Sequence, residues 1–416
     1  MKVVGIIAEY NPFHLGHAYQ LQYAREVLGA DYCLVVMSGP FTQRGTPALF
    51  DKYTRASFAL KCGADLVLEL PIIYATASAE AFALGGISAL HNTGVVDTLL
   101  FGCETSDISS LQEIASILVE EPEEYKHILQ SELQQGKSYA AARASALNHP
   151  KYQSIISSPN NILAVEYLKA LKRLDSPVQP VGLKRQGSGY HDDTLQSPIA
   201  SATAIRKFIL EQNDFTSESD CRKMILQLPE NLQKDVLCRL QAGEFLSSDN
   251  FSLLLHYALM SATDFSSISD CNEDISNKIL RNRHAYASFD SFCQQLKSKN
   301  VTHSRISRIL CHILLGIRDN DVPVSNTNIS PSDIVPYLRI LGFNQRGSAI
   351  LSEIKAKGAA PLLTTPKDTE NCLPPKAQSM LQKDIFASDV YRMVLSQKTG
   401  SPLPNEYTRK FSPQQI

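Results

Sequence analysis

Four short runs of this chain are apolar at nearly every position: residues 3–9 (VVGIIAE), 31–38 (DYCLVVMS), 64–71 (ADLVLELP) and 95–102 (VVDTLLFG). A strand that is apolar on both sides is covered on both faces, which is the habit of parallel sheets. Between these runs lie amphipathic stretches at about 16–28, 51–62 and 78–92, closed by Gly29, Gly63 and Gly94. Glycine just past the last periodic residue stops a helix because it enters the left-handed region without a Cβ clash. The alternation predicts an α/β fold, a Rossmann-like doubly wound parallel sheet.

From 108 to 147 the pattern turns helical, with EEPEEY (120–125) placing acids and a proline at a helix start. SSPNNILAVEYLKALKRL (157–174) predicts a turn feeding a helix, VQPVGLKR (178–185) a further strand, and IASATAIRKFIL (199–210) a capped helix. The first domain is expected to span 1–215. Beyond it DVLCRLQAG, NFSLLLHYALM, SFCQQLKSK, HSRISRILCHILLGI, DIVPYLRILGF and GSAILSEIKAK show three-to-four spacing. They predict an all-helical second domain over 216–400, followed by a loose polar tail over 401–416.

At 416 residues the chain exceeds what one core usually holds, which agrees with two domains. Hydrophobic residues at 44%, charged residues at 20% and a net charge of -2 exclude a disordered chain. The nine cysteines never form C-x-x-C, so neither a disulfide framework nor a zinc knuckle is predicted. No signal sequence and no membrane-spanning run is read, and a cytoplasmic location is expected. Residues 1–200 carry 15 Lys+Arg against 20 Asp+Glu, and residues 201–416 carry 25 against 22. The basic second half is compatible with RNA contact.

The first βα connection, AEYNPFHLGH, carries candidate chemistry. His14 and His17 stand three apart at a helix start, so both rings can face the carboxyl edge of the first strand. That edge is where open α/β sheets bind ligands, and a helix N-terminus suits phosphate. Gly16 would let a nucleotide approach the backbone closely. The alternative is a helix cap plus a partly buried ring. The chain lacks G-x-x-x-x-G-K-[ST], and this turn lacks G-x-G-x-x-G, which excludes two other nucleotide modes.

H-x-G-H resembles the motif of the nucleotidyltransferase superfamily. IASATAIRK (199–207) resembles that superfamily's I-S-S-T-x-I-R motif, with Ser201, Thr203 and Arg206 at the matching places and Ala200 and Ala202 departing from it. The resemblance implies that these three residues and the helix N-terminal amides hold ATP phosphate oxygens, the alternative being an ordinary N-capped helix. The longer strings EYNPFHLGH, VVMSGPFTQRGTPALFDKYTRASFAL, GADLVLELP, FGCE, SPNNILAVEYLKAL, LKRQGSGYHDD and YLRILGFNQRG resemble the tRNA(Met) cytidine acetate ligase family, from residue 1 to about 357. No K-M-S-K-S-like string is present, which sets aside a class I synthetase.

The resemblance implies an ATP-dependent ligase. It would activate acetate as acetyl-adenylate and pass the acetyl group to N4 of the wobble cytidine, position 34, of elongator tRNA(Met), forming N4-acetylcytidine. It implies catalytic charge stabilisation by His14 and His17. It also implies ATP contact by Ile7, Ala8, Glu9, Tyr10, Asn11, Pro12, Phe13, His14, Leu15, Gly16, His17, Ala18, Tyr19 and Gln20, and by Gly102, Asn160, Asn161 and Arg185. Taken alone, Gly102 is also compatible with a strand-ending turn, Asn160 with an N-cap and Arg185 with a surface charge. Mg2+ is expected with ATP, although no carboxylate cluster announces ligands of a protein-held metal. No obligate protein partner and no membrane association is read.

The long loop SGPFTQRGTPALFDKYTR (38–55) follows the second strand at the same edge. Arg44, Lys52 and Arg55 are the candidates there for countering the charge of acetate or phosphate. In KSKNVTHSRISRIL (297–310), Lys297, Lys299, Arg305 and Arg308 are candidates for tRNA phosphate, the alternative being a solvated helix face. Two other functions fit the residues less fully. One is an adenylyltransferase acting on a phosphorylated cofactor precursor; the other is a non-catalytic RNA-binding protein on the same fold.

Overall fold

The computed structural model describes residues 1–185, 195, 199–212, 214–322, 330–368 and 372–409. Seven strands form one sheet: β1 Val3–Ala8, β2 Tyr32–Ser38, β3 Leu66–Leu70, β4 Thr98–Cys103, β5 Gln179–Lys184, β6 Leu338–Phe343 and β7 Leu362–Leu363. Their order is β5-β4-β1-β2-β3-β6-β7. The five strands β1 to β5 run parallel to one another. The chain moves outward from β1 through β2 to β3, then returns to the other flank of β1 for β4. Strand order therefore reverses between β1 and β4, and a crevice opens at their carboxyl ends.

The apolar runs form buried strands for the reason their patterning gives. Leu34 and Val36 of β2 enter one core layer and Cys33, Val35 and Met37 the other, all wholly buried. Helices Leu15–Glu26, Lys52–Lys61 and Ala79–Asn92 fill the connections. The three glycines that follow them all have positive φ, at +66°, +112° and +66°, as a glycine stop requires. A third apolar cluster, from Leu255 to Ile313, lies among the helices of the second half.

Two expectations for the second half are corrected. DIVPYLRILGF is not one helix: Pro331–Ile334 is a single turn, and Leu338–Phe343 is β6, antiparallel to β3. Five of the six β6 residues are buried, and a short apolar run of that kind carries no period that separates strand from helix. Together with β7 it extends the sheet of the first half. The tail is also not loose throughout. Within 401–409, Glu406 is buried and the Arg409 guanidinium lies 3.9 Å from the centre of the Tyr53 ring. Residues 410–416 lie outside the described residues.

Glu406 belongs to a buried charge cluster that ties the two halves together. Lys52 Nζ donates to both carboxylate oxygens of Glu69 at 2.8 Å and to Ser388 Oγ at 2.8 Å, and it lies 3.4 Å from Glu406. Arg339 stands opposite Glu69 in the β3–β6 register, 3.3 Å from its carboxylate, and also pairs with Glu406. Two cations and two anions thus neutralise each other where unpaired charge would be prohibitive.

Candidate active site

A cavity of about 340 Å³ opens at the crevice, within the range of small-ligand sites. Ile7, Ala8, Glu9, Tyr10 and Asn11 reach its wall from the end of β1, and His14, Gly16, His17, Tyr19 and Gln20 from the following helix. Gly102 enters from β4, Asn160 from the start of the Pro159–Arg173 helix, and Arg185 from just beyond β5. Ser201, Thr203 and Arg206 arrive from the start of the Ala202–Glu211 helix. Two motifs nearly 200 residues apart in sequence thus share one wall.

His14 is the N-cap of the first helix. Its Nδ1 accepts from the Gly16 N–H at 2.9 Å, while the His14 N–H donates to His17 Nδ1 at 3.3 Å. A backbone N–H can only donate, so both Nδ1 atoms act as acceptors. Each neutral ring then carries its proton on Nε2 and can offer that N–H to an anion. The rings lie 3.9 Å apart between centroids, tilted by 30°. Burial, followed by the charges of Arg185 and Arg206, pulls His14 down to about 3. Burial and its neighbour His14 likewise hold His17 well below the usual imidazole range. The pair is neutral at physiological pH, and the cavity's cationic side chains are Arg44, Lys184, Arg185 and Arg206.

Gly16 is close-packed. A Cβ there would stand 2.8 Å from His14 Cε1, so any side chain would displace the capping ring. The Arg206 guanidinium donates to the Asn11 carbonyl and, at 3.2 Å, to Thr203 Oγ1. Burial pulls its pKa down to about 10, so it remains cationic at neutral pH. Ser201 Oγ caps its helix by accepting from Ala204 N–H at 3.0 Å. Gln227 joins the two motifs: its side-chain oxygen accepts from Ala200 N–H at 2.7 Å and its carbonyl from Leu15 N–H at 3.0 Å.

Several expected residues are not on the wall. Pro12, Phe13, Leu15 and Ala18 stand behind it, with Phe13 buried beneath Tyr10 and His17. Asn161 is also buried; its Oδ1 accepts from the N–H groups of Glu104 at 2.9 Å and Thr105 at 3.2 Å. Lys52 is held in the charge cluster. Arg55 is wholly buried and spends its guanidinium on the carbonyls of Glu9 at 2.7 Å, Ser38 at 3.0 Å, Phe50 at 3.0 Å and Gly39. It braces the loops after β1 and β2 and does not reach the cavity. Arg44 does line it, in a loop whose Gln43 N–H donates to Glu9 Oε1 at 2.8 Å.

Of the basic candidates for RNA, Lys297 and Lys299 are exposed. Arg305 donates to the Asp270 carbonyl at 2.9 and 3.1 Å, and Arg308 to the Asp270 carboxylate at 2.7 Å, so these two arginines hold a turn. The GSGYHDD part of LKRQGSGYHDD lies outside the described residues. Glu104, Gln43, Gln227 and Tyr167 were not singled out by sequence. Glu104 stands two places after Gly102 in FGCE, which was a usable signal; Gln227 had none.

Among the described residues no group of three or more His, Cys, Asp or Glu is placed to hold a metal ion. Nor is any helix among them long and apolar enough to cross a membrane.

Comparison with known proteins identifies the family. Residues 1–403 match the model of a family described as HIGH Nucleotidyl Transferase. The chain is 40% identical over 401 residues to a tRNA(Met) cytidine acetate ligase of Thermoanaerobacter sp. (strain X514), covering 94% of this chain and 95% of that one. It is 37% identical over 417 residues to the ligase of the same name from Acetivibrio thermocellus, covering 98% and 99%. The fold is similar to crystal structures of Thermotoga maritima TmcAL. One, bound with alpha-thio ATP, has a TM-score of 0.85 and 32% identity over 95% of each chain; the apo form has 0.88 and 31% over 100% of each.

Proposed function

The chain belongs to the HIGH nucleotidyl transferase family and, within it, to the tRNA(Met) cytidine acetate ligases, and from that premise we propose that it acetylates a tRNA cytidine in two steps at this cavity. It is a ligase. ATP is its nucleotide, a reading supported by the relative bound with alpha-thio ATP. The observation that carries the proposal is the convergence of His14, His17, Arg185 and Arg206 on one wall at the carboxyl ends of β1 and β4.

In the first step an acetate oxygen attacks the α-phosphorus of ATP. A new carbon–oxygen–phosphorus link forms, the bond to the β-phosphate bridging oxygen breaks, and diphosphate leaves with acetyl-adenylate remaining. The His14 and His17 Nε2–H groups and the two guanidiniums oppose the negative charge that builds on phosphate oxygens. No protein base is required, because positioning and charge stabilisation drive in-line displacement. Were Mg2+ to accompany ATP, Glu9 is the carboxylate on the described wall that would help hold it, and the ion would offset phosphate charge.

In the second step N4 of the wobble cytidine, position 34 of elongator tRNA(Met), attacks the acetyl carbonyl. The amide forms and AMP and a proton are released. Arg44, which lines the cavity, would neutralise the incoming carboxylate or a tRNA phosphate. Protein, ATP, radiolabelled acetate and bulk tRNA test the reading: label should enter N4-acetylcytidine with one AMP formed per acetyl group. Acetate-dependent AMP release that leaves cytidine unlabelled would overturn it.

A further inference from the structure

Glu104, immediately after β4, clasps the start of the Pro159–Arg173 helix. Its Oε1 accepts from Asn160 Nδ2 at 2.6 Å, and its Oε2 accepts from the Asn161 N–H at 2.9 Å. Asn161 closes the clasp by accepting from the Glu104 N–H through Oδ1 at 2.9 Å and donating through Nδ2 to the Ile155 carbonyl at 3.0 Å. An asparagine amide can be turned either way about its terminal bond, and its surroundings decide the orientation. Here they decide it fully. An ionised carboxylate only accepts, so the NH2 of Asn160 must face Glu104. Its Oδ1 is then the polar atom left toward the cavity, and no protein donor among the described residues reaches it.

We propose that Glu104 is a positioning residue that fixes the polarity of Asn160, so that the cavity reads the nucleoside by offering it a carbonyl acceptor. The group it selects is a hydrogen-bond donor that cannot also accept, the exocyclic amine of adenine; a ribose hydroxyl donates or accepts and fits either polarity. A nucleotide with an oxygen in place of that donor sets two acceptors against each other, and a site built around one hydrogen bond rejects such an analogue strongly. The clasp does this without touching the nucleotide. Burial pulls the Arg185 guanidinium below its ordinary value, and the Glu104 charge partly offsets that. The inference rests on the reading of this cavity as the ATP site.

The test uses the full chain and calorimetric dissociation constants for ATP, ITP, 2′-deoxy-ATP and 3′-deoxy-ATP. ITP replaces the adenine amine by a carbonyl, and the deoxy nucleotides each remove one hydroxyl. The native protein should bind ATP about tenfold or more tightly than ITP; a loss confined to a deoxy nucleotide overturns the inference, because a hydroxyl fits either polarity. N160A should erase that preference. E104Q should shrink or invert it, because the new amide can accept from the Asn161 N–H with its oxygen and donate to Asn160 Oδ1 with its nitrogen, turning the asparagine over. N160A alone suffices should E104Q not fold. Native preference retained in N160A, or in a folded E104Q, overturns the inference while leaving ATP binding intact. Absence of ATP binding by the native protein instead overturns the functional reading beneath it.

Discussion

The Arg206 guanidinium donates to the carbonyl oxygen of Asn11, joining two motifs across 195 residues of chain. Arg206 thereby orients the loop that leads into His14 while its side chain lines the cavity. R206A should lower acetate-dependent AMP formation by about 100-fold, the scale of removing one preorganised donor from a developing anion. R206K should recover part of the rate, since it keeps the charge and loses the fork. An unchanged rate in R206A, measured with saturating ATP, would remove Arg206 from the chemistry.

The neutral histidine pair carries a pH signature. His14 falls from an unfolded value of about 6.5 to about 3 in the folded chain, and His17 shifts in the same direction. Between these limits the unfolded state binds more protons than the folded one, so stability drops as pH falls below about 6.5. The expected slope is about 1.4 kcal/mol per pH unit for each histidine. Urea titrations between pH 4 and 7 should show a shallower slope for H14N, which retains a capping side chain. Parallel slopes would show that His14 is not held neutral.

Glu406 tests whether the C-terminal segment is structural. Removing its charge leaves Lys52 and Arg339 with Glu69 as the remaining anion of the cluster, so E406Q should cost about 3 kcal/mol or more. The Lys52 and Arg339 charges, together with the Tyr53 hydroxyl bond, outweigh burial and hold Glu406 down to about 2 in the folded chain. Its contribution is therefore complete above about pH 4.5 and lost on acidification toward 2. Denaturation at pH 7 and pH 3 should show the native and E406Q proteins converging in acid. Equal stability at pH 7 would contradict the cluster's role.

The four basic residues at 297–308 should separate into two behaviours. Charge reversal at exposed Lys297 and Lys299 should weaken tRNA binding and flatten its salt dependence without changing acetyl-adenylate formation. R308A should instead lower the melting temperature, because it leaves Asp270 without its partner at 2.7 Å. Filter binding across a salt series and thermal melts of both variants distinguish the two. Lowered tRNA affinity in R308A at full stability would restore it as an RNA contact.

Much of the site was legible because its parts are local. H-x-G-H places two rings and a glycine within four residues at a strand-to-helix junction, and each βα period announces itself by apolar patterning. Arg55 and Lys52 lie beyond the reach of such local patterns for a physical reason. A cation in a long loop at a ligand edge reads as functional, yet four backbone carbonyls and a buried carboxylate pair occupied them. Asn160 and Asn161 are adjacent in sequence and both bind Glu104, and the helix turn leaves Asn160, not Asn161, on the cavity wall.

By itself the sequence determined the parallel βαβ core, the glycine stops and the two motifs that line the cavity, because each depends on spacing within a few residues. Tertiary structure decided the rest. LRILGF became a strand because β3 offered it an open edge, Glu406 was drawn inward because Lys52 and Arg339 needed a second anion, and Asn160 acquired a polarity because Glu104 can only accept. Each outcome was set by a partner far away in the chain, and local spacing carries no record of it.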